Sequence, residues 1–216
     1  MLSPLHILVI AHPDDESMFF APTVLALERV WVISLSNGNY DGLGRIREKE
    51  LKQACDILGV EQVFCLNAFE DNPHHSWDAR DIAQVLEKTL TTESSACPHE
   101  QEICILTFDK GGVSGHANHT DTYRGVHYWL SSSTHTNTKG WKLETISNPL
   151  RKYLPPVWLL VCKRESSLEY TCNRPWLVWK AMAAHASQFV WYRRLSVVFS
   201  HYTYHNQWHE ISIIDV

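Results

Sequence analysis

The sequence has no CxxC pair: its six cysteines, Cys55, Cys65, Cys97, Cys104, Cys162 and Cys172, are scattered along the chain. That spacing excludes a zinc ribbon and argues against a disulfide framework in a domain of this size, so buried free thiols in a reducing compartment are expected. Long apolar runs are missing as well. The first, Leu5–Ala11, is stopped by His12-Pro13-Asp14-Asp15-Glu16 and is too short to span a bilayer; no signal peptide or transmembrane helix is visible. No GxGxxG follows it, which leaves dinucleotide binding with little support. Positive charge is in deficit, with 19 Lys and Arg against 24 Asp and Glu and a formal net charge of −5. A nucleic-acid binder that needs a broad basic face is therefore not expected.

What is present is ordinary globular material. The 216 residues, 44% hydrophobic and 20% charged, are enough for one α/β domain with a real core. His6–Ala11 is β-branched and continuously apolar, as suits a strand buried on both faces. Met18–Glu28 reads as a helix with Pro22 an awkward member, and Val30–Ser36 as a second strand leading into a Gly/Asn-rich loop, Asn37–Gly44. Arg45–Leu58 has helical periodicity, with Leu51, Ala54, Cys55 and Leu58 on one face and Gly59 as its stop. Val63–Leu66 reads as a strand, Asp78–Leu90 as a helix, Thr91–Glu102 as a polar surface loop and Ile103–Phe108 as a strand. A helix to about Leu130 follows, then a polar loop, Ser131–Gly140, strands over Trp141–Ile146 and Val157–Cys162, and a late helix over Trp176–Tyr192. The alternation predicts a Rossmann-like, mostly parallel sheet with right-handed crossovers and helices on both faces. In such sheets ligands sit beyond the carboxyl ends of the strands.

Two clusters fall at such ends. The first is Ala11-His12-Pro13-Asp14-Asp15-Glu16, whose crowded like charges a divalent cation would relieve. An acidic helix cap accounts for the carboxylates equally simply. The second is Gly111-Gly112-Val113-Ser114-Gly115-His116-Ala117-Asn118-His119, where glycines permit tight turns and the HxxH pair can face one cleft. Each cluster alone is weak; both on one sheet edge are stronger. A hydrolytic zinc site takes three protein ligands and keeps a position open for water. His12, Asp15 and His119 suit the ligand roles, Asp14 that of general base, and His116 that of oxyanion stabiliser or proton donor. The choice among the acidic neighbours rests mainly on the resemblance that follows.

AHPDDE at a strand end followed far downstream by GHANH resembles the LmbE-like (PIG-L) deacetylase family, zinc-dependent de-N-acetylases of GlcNAc-containing glycosides. Arg47-Glu48-Lys49-Glu50-Leu51, Asp56-Ile57-Leu58-Gly59, Thr107-Phe108-Asp109, Leu150-Arg151-Lys152-Tyr153 and His185-Ala186-Ser187-Gln188 extend the likeness over nearly the whole chain, toward the eukaryotic branch that acts in glycosylphosphatidylinositol (GPI) anchor synthesis. The resemblance implies a single LmbE-like domain over residues 1–216 and a divalent metal, zinc first. It makes His12, Asp15 and His119 the metal ligands, Asp14 the base and His116 the transition-state partner. It also implies N-acetylglucosaminyl-phosphatidylinositol as substrate and a place on the cytosolic face of the endoplasmic reticulum membrane. Some bacterial relatives carry an acid at the position of Asn118, which leaves open what orients His116.

Four further positions keep two readings each. Arg47 lies near the substrate phosphate or hydroxyls by resemblance, or is a solvated helix-face charge. His185 faces the sugar or is a core histidine, and Asp109 supports a metal-bound histidine or caps a turn. The aromatic stretch within residues 176–205, with Arg193 and Arg194, suits a membrane interface or a packed core. Two rival functions remain: deacetylation of a soluble GlcNAc conjugate, and a non-catalytic α/β binding protein.

Overall fold

The computed structural model describes residues 3–72, 74–92, 102–133, 135, 137–154 and 168–212. Among the described residues, seven strands form one sheet in the order β3-β2-β1-β4-β5-β7-β6. The first five, β1 (Leu5–Ile10), β2 (Val30–Ser34), β3 (Gln62–Cys65), β4 (Ile103–Phe108) and β5 (Thr138–Leu143), run parallel. The last two, β6 (Leu168–Thr171) and β7 (His205–Glu210), are antiparallel to each other, and β7 is antiparallel to β5. The centre follows from composition. Except for His6, every residue of β1, β2 and β4 is buried, as β-branched and aliphatic strands covered on both sides should be. Each fully buried aliphatic side chain there stabilises by roughly 1.5–3 kcal/mol.

Connections run outward from β1 to β2 and β3, then cross back to β4 and β5. Right-handed crossovers put α1 (Ala21–Val24) and α2 (Gly44–Leu58) on one face, and α3 (Ala79–Thr92) and α4 (Ala117–Ser132) on the other. Helix α3 packs on α4, and α2 packs on the later helix α6 (Pro175–Ala184). The reversal of strand order lies between β1 and β4, so the crevice beyond their carboxyl ends is the place for a ligand.

The periodic elements match their sequence. Leu51, Ala54, Cys55 and Leu58 are the buried stripe of α2, and Gly59, at φ 80°, closes it with bonds to Cys55 and Asp56 carbonyls. Several expectations need correction. No long helix covers 18–28: a π turn, Glu16–Phe20, leads into the single α turn Ala21–Val24. Pro22 lacks the N–H that a continuous helix needs there. The late helix is two, α6 and α7 (Trp191–Phe199), because His185–Val190 is drawn aside by side chains described below. Helix α4 continues to Ser132 and β5 starts at Thr138, which shortens the expected loop from both ends. The expected strand 157–162, Cys97 and Cys162 lie outside the described residues. Cys55, Cys65, Cys104 and Cys172 are free thiols, the first and third buried.

Candidate functional site

Strand β1 ends at Ile10, and within four residues the chain turns hard enough to place three acids in three directions. Asp14 has φ 117°, a region that side-chain-bearing residues rarely adopt. Its backbone N–H donates to Glu16 Oε2 at 3.0 Å, and the N–H of Met18 returns to the Asp14 carbonyl at 3.0 Å. Strain of this kind persists only where surrounding groups over-determine it, and π turns of this sort recur at functional sites.

Asp15 points into the crevice. Its Oδ1 lies 3.1 Å from His119 Nε2, and its Oδ2 accepts the His12 backbone N–H at 2.9 Å and lies 3.7 Å from His12 Nδ1. Burial alone would raise the Asp15 carboxyl, but the charge and hydrogen bond of His119, with His12 behind, hold it well below the carboxylate range. The converse balance raises His119, where Asp15 outweighs burial. Both imidazoles are held from behind. His119 Nδ1–H donates to the Gly112 carbonyl at 2.9 Å, and His12 Nε2 meets Asp71 Oδ1 at 3.2 Å. The far nitrogen of His119 is thus held by an acceptor, that of His12 lies between the Asp71 carboxylate and the Asn118 amide nitrogen, and both near nitrogens turn to the Asp15 carboxylate. Metal-binding histidines are oriented in this way.

The second cluster arrives on the loop after β4. Asp109 caps it: Oδ1 accepts from the N–H groups of Gly111 and Gly112 at 2.9 and 3.1 Å and from the Thr145 hydroxyl, while Oδ2 accepts from Thr145 N–H at 2.8 Å. Asp109 therefore touches no histidine; it fixes the turn whose Gly112 carbonyl holds His119. Gly112 has φ 59°, and a Cβ there would come within 3.0 Å of the His119 Cβ. His116 sits half-buried beside the pair, its ring centre 5.0 Å from those of His12 and His119. Burial, then the charges of His12 and His119, lower its pKa, so a neutral ring is favoured. Its Nδ1 is buried with no hydrogen-bond partner. Asn118 does not orient it, since that amide packs against His12 Nε2 at 3.1 Å. Nitrogen atoms of His12, His116 and His119 all lie within 4.8 Å of one another, a second arrangement able to grip a cation.

Arg47 is no solvated helix charge. It is buried, donating to the carbonyls of Pro13 at 2.6 Å and Gly38 at 3.0 Å and reaching Asp14 Oδ2 and Asp71 Oδ2, each at 3.4 Å. Gly38, at φ 70°, leaves room for the guanidinium: a Cβ would stand 2.4 Å from it, so a side chain there would have to displace Arg47. The cleft of about 250 Å³ also includes Met18, Phe19, Ser114 and Arg193. Arg193, on α7, pairs with Asp14 Oδ2.

Sequence reasoning misses Asp71 and gives Arg193 no role in the site. Asp71 follows β3 on the same sheet edge, within Glu70-Asp71-Asn72, and that position was a usable signal; Arg193 lies in a stretch that reads as interfacial. His12 and Arg47 keep the Asp71 carboxyl below its usual range against the effect of burial.

His185 corrects the expectation of a sugar contact. It is fully buried, does not line the cleft, and its Nε2 meets Glu16 Oε1 at 2.6 Å. Glu16 spends its other oxygen on the Asp14 backbone, so His185 supports the strained turn from beneath. Two residues on, Ser187 donates N–H and hydroxyl to Glu50 at 2.8 and 2.6 Å, which pulls the chain out of helix between α6 and α7. Replacing His185 with Ala would remove the imidazole partner of the fully buried Glu16 carboxyl group. Destabilisation of about 3–5 kcal/mol is expected in urea titrations, and a loss below about 1 kcal/mol would deny the pair this role.

Comparison with known proteins gives a consistent result. Residues 7–130 match the family model PIG-L, described as GlcNAc-PI de-N-acetylase. The chain is 37% identical over 209 residues to the N-acetylglucosaminyl-phosphatidylinositol de-N-acetylase of Bos taurus, covering 91% of this chain and 79% of that protein. It is 34% identical to the probable enzyme of the same name from Dictyostelium discoideum, covering 94% and 92%. Among solved structures, a conserved protein from Thermus thermophilus superposes with a TM-score of 0.64 at 15% identity over 98% of this chain and 96% of that one, a likeness of fold. With its fold, its paired strand-end clusters and these relatives, the chain belongs to the PIG-L family.

Proposed function

We propose that the chain, as one LmbE-like domain, is a metal-dependent hydrolase that removes acetate from N-acetylglucosaminyl-phosphatidylinositol. It would act in GPI-anchor synthesis at the cytosolic face of the endoplasmic reticulum membrane. The names of its relatives support the substrate. The observation that carries the chemistry is the Asp15 carboxylate shared by the near nitrogens of His12 and His119, each ring backed by an acceptor. That donor set, two imidazoles and one carboxylate, fits zinc.

A divalent cation held there supplies Lewis acidity toward the acetamide carbonyl and toward water. The protein does the rest. Asp14, on the rim, takes a proton from the attacking water as its oxygen bonds to the acetyl carbon. His116, a neutral ring beside the cleft, donates a hydrogen bond to the oxyanion that develops. When the C–N bond breaks, the proton held at Asp14 passes to the departing nitrogen, leaving acetate and a free amine. Arg47, anchored on the Pro13 and Gly38 carbonyls, lies 3.4 Å from Asp14 Oδ2, holds that carboxylate in place and offers charge to an anionic substrate.

The purified protein should release acetate from N-acetylglucosaminyl-phosphatidylinositol, lose that activity on dialysis against a chelator, and regain it with zinc. Full activity in chelator would remove the metal from this account, and no acetate from metal-loaded protein would remove the reaction.

A further inference from the structure

Between Glu169 and Glu210 the chain carries no acid, although 24 occur in the whole. Arg174, Lys180, Arg193 and Arg194 all fall in that interval. Structure gathers the same stretch into one surface. Helix α7 packs against both α6 and the short α5 (Pro149–Tyr153). Their outward residues are large and apolar: Trp191 is 72% exposed, and Trp176 and Tyr192 are each 56% exposed. Leu150, Trp179, Leu195 and Phe199 are also exposed. Isolated exposed apolar residues need no explanation, but an aromatic set this dense on adjoining helices does. Only Val197 of α7 is buried, so packing does not account for the composition of this helix.

The surface is continuous with the cleft. A groove of about 570 Å³, lined by Met18, Tyr153, Leu154, Leu195 and Phe199 among others, shares Met18 and Arg193 with the metal-ligand pocket. Whatever covers the helices therefore also meets the mouth of the site. A second copy of the chain is a poor occupant, because it would set basic residues against basic residues. Tryptophan and tyrosine mixed with arginine and lysine are the composition that enters the headgroup layer of a bilayer.

We propose that α5, α6 and α7 form a membrane-docking surface that seats the protein on a bilayer carrying anionic phospholipid, with the groove beside Met18 opening at lipid level. This deepens the functional reading and rests on it only for the bilayer as the place where substrate is met. Docking would deliver a headgroup to the cleft while its acyl chains stay in the bilayer.

The test uses vesicles without glycolipid substrate, so it can fail while the deacetylase reading stands. The protein should co-sediment with phosphatidylcholine vesicles containing phosphatidylserine, more weakly with phosphatidylcholine alone, and less as salt rises. Trp176→Ser with Trp191→Ser should reduce partitioning about tenfold or more. Lys180→Glu should reduce it about fivefold on anionic vesicles. Both variants should keep the circular dichroism of the parent and its acetate release from a deacylated, water-soluble substrate. Absence of binding to anionic vesicles, or undiminished binding by both variants, would overturn the proposal. So would a concentration-dependent dimer that the tryptophan variant dissolves, since that would assign the face to a second copy.

Discussion

Asp14→Asn is expected to lower kcat by about 10²–10⁴-fold while bound metal stays at the parent level. The two effects separate because Asp14 and Asp15, though adjacent, point to different partners. Asp15 lies between the imidazoles, whereas the Asp14 carboxylate turns to Arg47 and Arg193 on the rim. Asparagine is nearly the same shape and tolerates positive φ better than most residues, so the turn at φ 117° should survive. What it cannot do is take a proton from water. Acetate release paired with elemental analysis reads both quantities, and a variant as active as the parent would remove Asp14 as base.

His119→Ala is expected to lose both metal and turnover, falling to the level of the chelated protein. Asp15→Ala should behave alike, because both near nitrogens would then face each other with no carboxylate between them. His116→Ala is the discriminating member of the series. If Asp15 completes the ligand set, that variant keeps its metal and loses about 10²–10³ in kcat, the cost of one oxyanion donor. If the three histidines are the ligands, as their mutual distances within 4.8 Å permit, His116→Ala loses metal and Asp15→Ala retains some. The backing of His12 by Asp71 and of His119 by Gly112 favours the first outcome.

The parallel core was legible because its strands are apolar along their whole length and its helices keep a 3.6-residue stripe. Strand-end placement then brought His12 and His119 together without further help. The terminal third was not legible. Strand β7 reads His-Asn-Gln-Trp-His-Glu, and its first four residues are buried because polar side chains there find internal partners: Asn206 accepts from Thr23 and donates to the Phe19 carbonyl. No periodicity reports such satisfaction. The break between α6 and α7 was hidden for the same reason, since it depends on Glu16 and Glu50, remote in sequence. Asp109 and His185 show a related limit. Residue type announced that each was occupied but not with what; each supports a backbone turn one step behind the histidines or the base.

Asn118 touches His12 across 106 residues of chain, because β1 and β4 lie side by side in the sheet while two strands and three helices intervene in sequence. During synthesis the acidic half of the pocket emerges first and must wait, its carboxylates facing water, until the glycine loop has left the ribosome. A fragment ending before that loop carries those acids but neither His116 nor His119. On the proposed metal-dependent reading, a cation can be gathered only after the middle of the sheet has closed.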